Sequence, residues 1–161
     1  MIKIATEIEI MAPIHICFDF ARDIDLHTQT VWPHTKEHAV EGVTSGMIGQ
    51  GEFVTFEATH FLIRQRLSSQ ITEYKRPYLF VDTMSRGAFK SLKHEHHFID
   101  LGITTIMQDI LYLEAPLGPL GWIAERVVLK SYMRQFLMYR NRELKSRIEE
   151  YNRELGTSHF R

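Results

Sequence analysis

The chain is predicted to adopt an α+β fold, a curved antiparallel sheet of about seven strands in the order β-α-α-β6-α around a long C-terminal helix. Three observations predict it. Strand-like segments joined by short turns fill the middle of the chain, an unbroken amphipathic helix follows them, and there is no strand–helix–strand alternation to build a parallel sheet.

Ile2, Ile4, Ile8 and Ile10 alternate with Lys3, Glu7 and Glu9, the period of two that marks a half-buried strand. Pro13 opens the next element. Ile14, Cys17, Phe18, Ala21 and Ile24 recur at helical spacing, which predicts one or two short helices broken near 23–25. The run VWPH at 31–34 is a loop, because Pro33 disfavours helix at Trp32. Strands are predicted at 37–43, 51–58, 60–74, 78–85, 88–100 and 103–114. GMIGQG at 46–51, KRP at 75–77, RG at 86–87 and DLG at 100–102 supply turns between them. Connections that short force antiparallel pairing, since a parallel crossover needs a dozen or more residues. APLGPLG at 115–121 reads as a loop, and a helix is predicted from Trp122 to Tyr151. Its apolar stripe runs through Leu129, Tyr132, Met133, Phe136, Leu137, Tyr139, Leu144 and Ile148. We read 1–155 as one domain and 156–161 as a tail.

With 161 residues, 44% of them apolar and 24% charged, the chain can bury a sizeable core. The formal net charge of −1 provides no overall field for nucleic acid or an anionic membrane, so neither is expected as a partner. Cys17 is the sole cysteine, so no disulfide forms within the chain and a reducing, cytoplasmic setting is expected. No apolar run approaches the ~18 residues of a membrane span, and the alternating N-terminus is unlike a signal peptide.

Three stretches carry a resemblance. Glu73-Tyr74-Lys75-Arg76-Pro77 is followed by Phe80-Val81-Asp82. Gly87-Ala88-Phe89 precedes His94-Glu95-His96-His97-Phe98. Tyr112 precedes Pro116-Leu117-Gly118-Pro119-Leu120-Gly121, with Phe136 and Tyr139-Arg140 beyond. Together they resemble the SRPBCC superfamily, the START-like helix-grip proteins, and within it a small bacterial branch of single-domain members. The likeness runs from Ile8 to about Leu144. It implies a helix-grip fold and the binding of a hydrophobic molecule between sheet and helix. The superfamily includes lipid carriers, polyketide cyclases and chaperone partners, so the fold fixes no reaction. Two departures stand out: Leu92 replaces a tryptophan usual before the paired histidines, and an often acidic position in the following strand is read as Gln108.

Strand alternation then sorts the candidates. If Phe98 faces inward, so do His96, His94 and Leu92, while Lys93, Glu95 and His97 face water. Phe80, Asp82 and Met84 share one face, Gln108, Ile110 and Tyr112 another, and both are assigned inward. The expected ligand-binding residues are therefore Trp32, Phe53, Phe80, Asp82, Met84, Phe89, His94, His96, Gln108, Tyr112, Met133 and Phe136. His94, His96 and Asp82 are also the candidates for catalysis as a general base and its orienting partner, against the alternative of a buried network that satisfies itself. Arg64 and Arg66 are placed on the solvent face; the reverse register would bring them inward and favour an acidic guest. His27, His34, His38 and His60 lie in or near loops and are placed at the surface. His94 and His96 have metal-ligand geometry but no third ligand at convincing spacing, so neither metal nor cofactor is expected. The partner expected is a small hydrophobic molecule, such as a lipid, isoprenoid or polyketide-like compound. A polyketide cyclase or dehydratase using a His/Asp pair is the alternative, and association through the C-terminal helix or as a homodimer stays open.

Overall fold

A computed structural model describes residues 1–158. Strand β1 (Ile2–Ile10) leads into helices α1 (Ile14–Ala21) and α2 (Ile24–Thr30). Strands β2 (His38–Gly42), β3 (Phe53–His60), β4 (Ile63–Lys75), β5 (Leu79–Arg86), β6 (Ser91–Asp100) and β7 (Thr105–Glu114) follow. Helix α3 (Gly118–Ala124), a wide π turn (Glu125–Leu129) and α4 (Lys130–Ser158) complete the chain. The seven strands form one sheet in the order β1-β7-β6-β5-β4-β3-β2, with every neighbouring pair antiparallel. The predicted architecture is thus the observed one, and among the described residues no helix is long and apolar enough to cross a membrane.

Local chemistry explains the element boundaries. Pro13 is the N-cap of α1, which buries Ile14, Cys17, Phe18 and Ala21. The break between α1 and α2 falls at Asp23, whose carboxylate accepts the Leu26 backbone N–H at 3.0 Å and so starts a new helix. The β3–β4 hairpin turns on Phe61 and Leu62, at φ 51° and 64°. Two successive left-handed residues make the tight hairpin turn usually given to Asn-Gly, and here it is built from apolar side chains. That substitution removes the Gly or Asn signal by which the turn would be read.

The last helical segment starts earlier than the sequence predicts. Pro119 sits in the first turn of α3, where a missing N–H costs nothing. Gly121 permits the close return of the chain, because a Cβ there would lie 1.9 Å from the Pro116 carbonyl oxygen. Proline and glycine in this run therefore start a helix rather than prevent one. At the other end α4 continues through Ser158, into the stretch assigned to the tail, and 159–161 lie outside the described residues.

Two apolar clusters form the interior. One gathers Phe18, Ile10, Phe80, Phe98, Met107, Leu144 and Ile148; the other joins Ile2, Ile4, Leu92, Leu111, Leu113 and Leu137. They lie at opposite ends of the same inner sheet face, and the polar cluster described next lies between them.

Candidate functional site

The inner face of β5, β6 and β7 brings four polar side chains together by register alone. His96 is opposite Phe80 on β5 and Asp109 on β7, and His94 is opposite Asp82 and Leu111. Each histidine therefore has one acid directly across and the other on the diagonal, within reach in a twisted antiparallel sheet. His96 Nε2 is 3.0 Å from Asp82 Oδ2, and its Nδ1 is 2.7 Å from Asp109 Oδ1. His94 Nε2 lies 3.0 Å from the same Asp109 oxygen, and its Nδ1 is 3.8 Å from Asp82 Oδ2. The His96–Asp82 contact is a well-formed hydrogen bond. The contacts to Asp109 Oδ1 are short but poorly aligned, so they act as charge contacts more than as directed bonds.

Asp109 is fully buried. Its other oxygen accepts a hydrogen bond from Asn141 Nδ2, and the Arg140 guanidinium approaches to 3.7 Å, both from α4. Burial favours its neutral form, but His94 and His96 outweigh burial and hold the carboxyl well below the usual range. Asp82 is lowered likewise: burial acts against ionisation, and the His96 hydrogen bond with the two imidazoles prevails. His96 is raised, since the two carboxylates overcome its burial. His94 is lowered by burial and by the neighbouring His96. The cluster therefore favours two carboxylates, with a proton held more tightly at His96 than at His94 and the Arg140 guanidinium beside Asp109. Each buried acid thus has imidazole or guanidinium nitrogens within 3.7 Å, which is what makes the burial tolerable.

A cavity of about 280 Å³ lies over this cluster, between the sheet and α4. Phe80, Leu92 and Leu111 form its floor, and Met133, Phe136 and Leu137 its roof. Ile24 and His27 of α2 close one end. At the other end Phe61, Ile63 and Phe89 line it, and Phe61 and Ile63 are 49% and 65% exposed, so this end meets solvent. The wall is mostly apolar, with Asp82, His94, His96 and Arg140 grouped on one side. A second polar group faces it from β3 and α2. His27 Nε2 is 2.8 Å from Glu37, and His60 Nδ1 is 2.8 Å from the Tyr132 hydroxyl.

The same architecture occurs in solved proteins. The crystal structure of a protein from Thermus thermophilus matches 91% of this chain and 97% of its own, with a TM-score of 0.72 and 16% identity. A START superfamily protein from Mycobacterium smegmatis matches 92% and 98%, with a TM-score of 0.67 and 15% identity. A major latex-like protein from Panax ginseng matches 90% and 95%, with a TM-score of 0.61 and 13% identity. The chain has the helix-grip fold. No family model matches its sequence, and no curated protein does.

Within the helix-grip chamber, Phe80, Asp82, Phe89, His94, His96, Met133 and Phe136 are at the wall, and β5 and β6 set Asp82 against both histidines. Five predicted positions are elsewhere. Gln108 and Tyr112 point to the opposite sheet face, where Gln108 bonds Glu7 and Tyr112 lies under the Lys3 ammonium. On β7 the inward residues are Met107, Asp109, Leu111 and Leu113. A one-residue error in a period-two strand turns every side chain over. The acid sought at position 108 is Asp109, which shares the inner face with Met107, Leu111 and Leu113. Phe53 is 42% exposed at the start of β3. Met84 packs beside Leu67 and Phe89 near the end of β5, beyond the cavity. Trp32 lies behind the roof, edge-on to Tyr132 and Phe136. His27 and His60, placed at the surface from the sequence, line the chamber instead, because the elements that carry them fold over its end. Ile63, Gln65 and Leu67 face the chamber, while Arg64 and Arg66 both bind Glu57, Arg66 also bordering the open end of the chamber.

The corrected register has a direct test. Gln108→Ala should change unfolding free energy by no more than about 0.5 kcal/mol, as at an ordinary surface position. Met107→Ala, next in sequence and fully buried, should cost about 2–5 kcal/mol. Paired urea titrations measure both, and equal effects would contradict the register.

Proposed function

We propose that this protein binds a small, mostly apolar molecule in the chamber between sheet and α4. The observation that carries the reading is the 280 Å³ space itself, left open among apolar side chains with one concentrated polar group in its wall. It lies at the lower edge of the size usual for small-molecule sites, about 300–1,000 Å³, and has their composition. Apolar burial supplies affinity at roughly 25 cal/mol per Å², reduced by the cost of immobilising the guest. Asp82 gives the guest an orientation, because it alone of the four clustered polar residues keeps a fifth of its side chain exposed. A lipid, isoprenoid or polyketide-like compound with one hydroxyl or carbonyl group fits such a wall.

Filling the space tests the proposal. Ala58 is buried in the chamber wall. Ala58→Phe should abolish binding of the apolar fluorophore 1-anilinonaphthalene-8-sulfonate, which the parent protein should take up with a blue-shifted emission. Native mass spectrometry of protein from its own host should show a co-purifying mass that the filled variant lacks. Equal uptake by both proteins would place the fluorophore outside the chamber and overturn the reading.

A second reading, a cyclase or dehydratase using a His/Asp pair, draws on the hydrogen bond between His96 and Asp82. Both ring nitrogens of His96 face carboxylates, so that imidazole serves as a proton donor rather than a free base. A base role falls to His94, whose Nδ1 is 3.8 Å from Asp82 and makes no hydrogen bond to it. Loss of turnover in His94→Gln with guest uptake unchanged would favour catalysis over carriage.

A further inference from the structure

We propose that Asp82, His94 and His96 form a binding site for a divalent transition-metal ion, open toward the chamber. One carboxylate oxygen and one nitrogen from each ring lie within 4.8 Å of one another. Asp82 Oδ2 is 3.0 Å from His96 Nε2 and 3.8 Å from His94 Nδ1. Around an ion with bonds of about 2.0–2.2 Å, ligand atoms stand roughly 3.0–3.6 Å apart, so the three need only small rotations to converge. The chemistry suits the class: two imidazoles and one carboxylate on one side of an ion, with further positions open, is a known arrangement for iron(II) and for zinc.

The scaffold favours it for an independent reason. His94 and His96 are two residues apart on the inner face of β6, and Asp82 is on the adjacent β5, so all three ligands stand on hydrogen-bonded strands. The two rings also turn their other nitrogens toward a single atom. His94 Nε2 and His96 Nδ1 lie 3.0 and 2.7 Å from Asp109 Oδ1. These three buried atoms have no well-aligned hydrogen-bond partner as the rings now stand. With an ion on the Asp82 side, each ring carries its N–H on the Asp109 side, and a small rotation aims both at the buried carboxylate. A carboxylate behind the metal-bound imidazoles fixes their tautomer and orientation in many metal sites. Asn141 and Arg140 hold Asp109 in place for that role. The positions left open face the cavity. A guest hydroxyl or carbonyl would complete the coordination shell, and this last step alone rests on the chamber reading.

Titration of the EDTA-treated full chain with Zn²⁺, and with Co²⁺ followed by its visible absorption, tests the site without any guest. One equivalent should bind. Asp82→Asn and His94→Gln should each weaken binding at least tenfold, with circular dichroism unchanged. Asp109→Asn, which touches no ion, should weaken it about 10–100-fold. His97→Gln, on the outer face beside Glu95, should leave it intact. Failure to bind one equivalent overturns the site, as does uptake that survives Asp82→Asn or His94→Gln undiminished, or that is lost in His97→Gln. Fluorophore uptake by the same EDTA-treated protein shows separately whether the chamber reading stands.

Discussion

Asp109→Ala should lower the unfolding free energy by about 3–5 kcal/mol, a large share of what holds a domain of this size. The residue is fully buried, and its carboxylate is the shared neighbour of His94, His96, Asn141 and Arg140. Truncation leaves the buried His94 and His96 ring nitrogens, the Asn141 amide and the Arg140 guanidinium without their shared acid, and the penalty is the desolvation of those survivors rather than the strength of any one bond. Asp82→Ala should cost clearly less, because Asp82 keeps a fifth of its side chain open to the chamber and water can replace it there. Urea midpoints with slopes measured for both variants make the comparison. A loss below about 1 kcal/mol for Asp109→Ala would show that the cluster draws no stability from its central acid.

Phe18→Ala is the second severe change. The ring is fully buried at the centre of the larger apolar cluster, edge-on to Tyr74, Phe80 and Phe98 with centroids 5.3–5.5 Å away. Removing it deletes the transfer energy of a whole aromatic side chain, leaves a cavity, and breaks three edge-to-face pairs, for about 3–5 kcal/mol. Phe18 also pins α1 to β5 and β6, whose inner faces carry Asp82, His94 and His96. Its loss should therefore loosen the cluster as well as the core. Thermal unfolding gives the stability change, and fluorophore affinity should weaken in parallel. Unchanged affinity in a destabilised variant would show that α1 closes the core without shaping the chamber.

The strand pattern was legible because it depends on local information. Period-two alternation located β1 and sorted the faces of β6, and turn residues separated the strands, so antiparallel pairing of consecutive strands and the inward placement of His94 and His96 followed. What failed depended on pairings that sequence does not display. On β7 both faces carry large apolar residues, Ile106 and Ile110 outside and Met107 and Leu111 inside, so alternation gave no preferred side. With Gln108 assigned inward, Asp109 falls on the solvent face, the ordinary place for a carboxylate, since a buried one is costly unless partners compensate it. Its partners come from positions 94, 96, 140 and 141, and only the folded register joins them. His60 was misplaced for the same reason: its hydrogen-bond partner, Tyr132, is 72 residues along the chain.

The pairing of β1 with β7 has a consequence for how the chain acquires its shape. Residues 2–10 are hydrogen-bonded to residues 105–113, so the first strand made cannot find its neighbour until the last has been synthesised. Until then β1 is an unpaired ribbon of alternating isoleucines, and the free edge of β6 is open to any extended segment. Contacts of such long sequence separation close slowly, in milliseconds to seconds, because the loop entropy must be met before pairing repays it. During that interval the nascent protein is at its most vulnerable to association with other chains. The acids Glu7 and Glu9 on β1 and the lysine Lys93 on β6 place charges on those waiting edges, the usual safeguard against unwanted strand pairing.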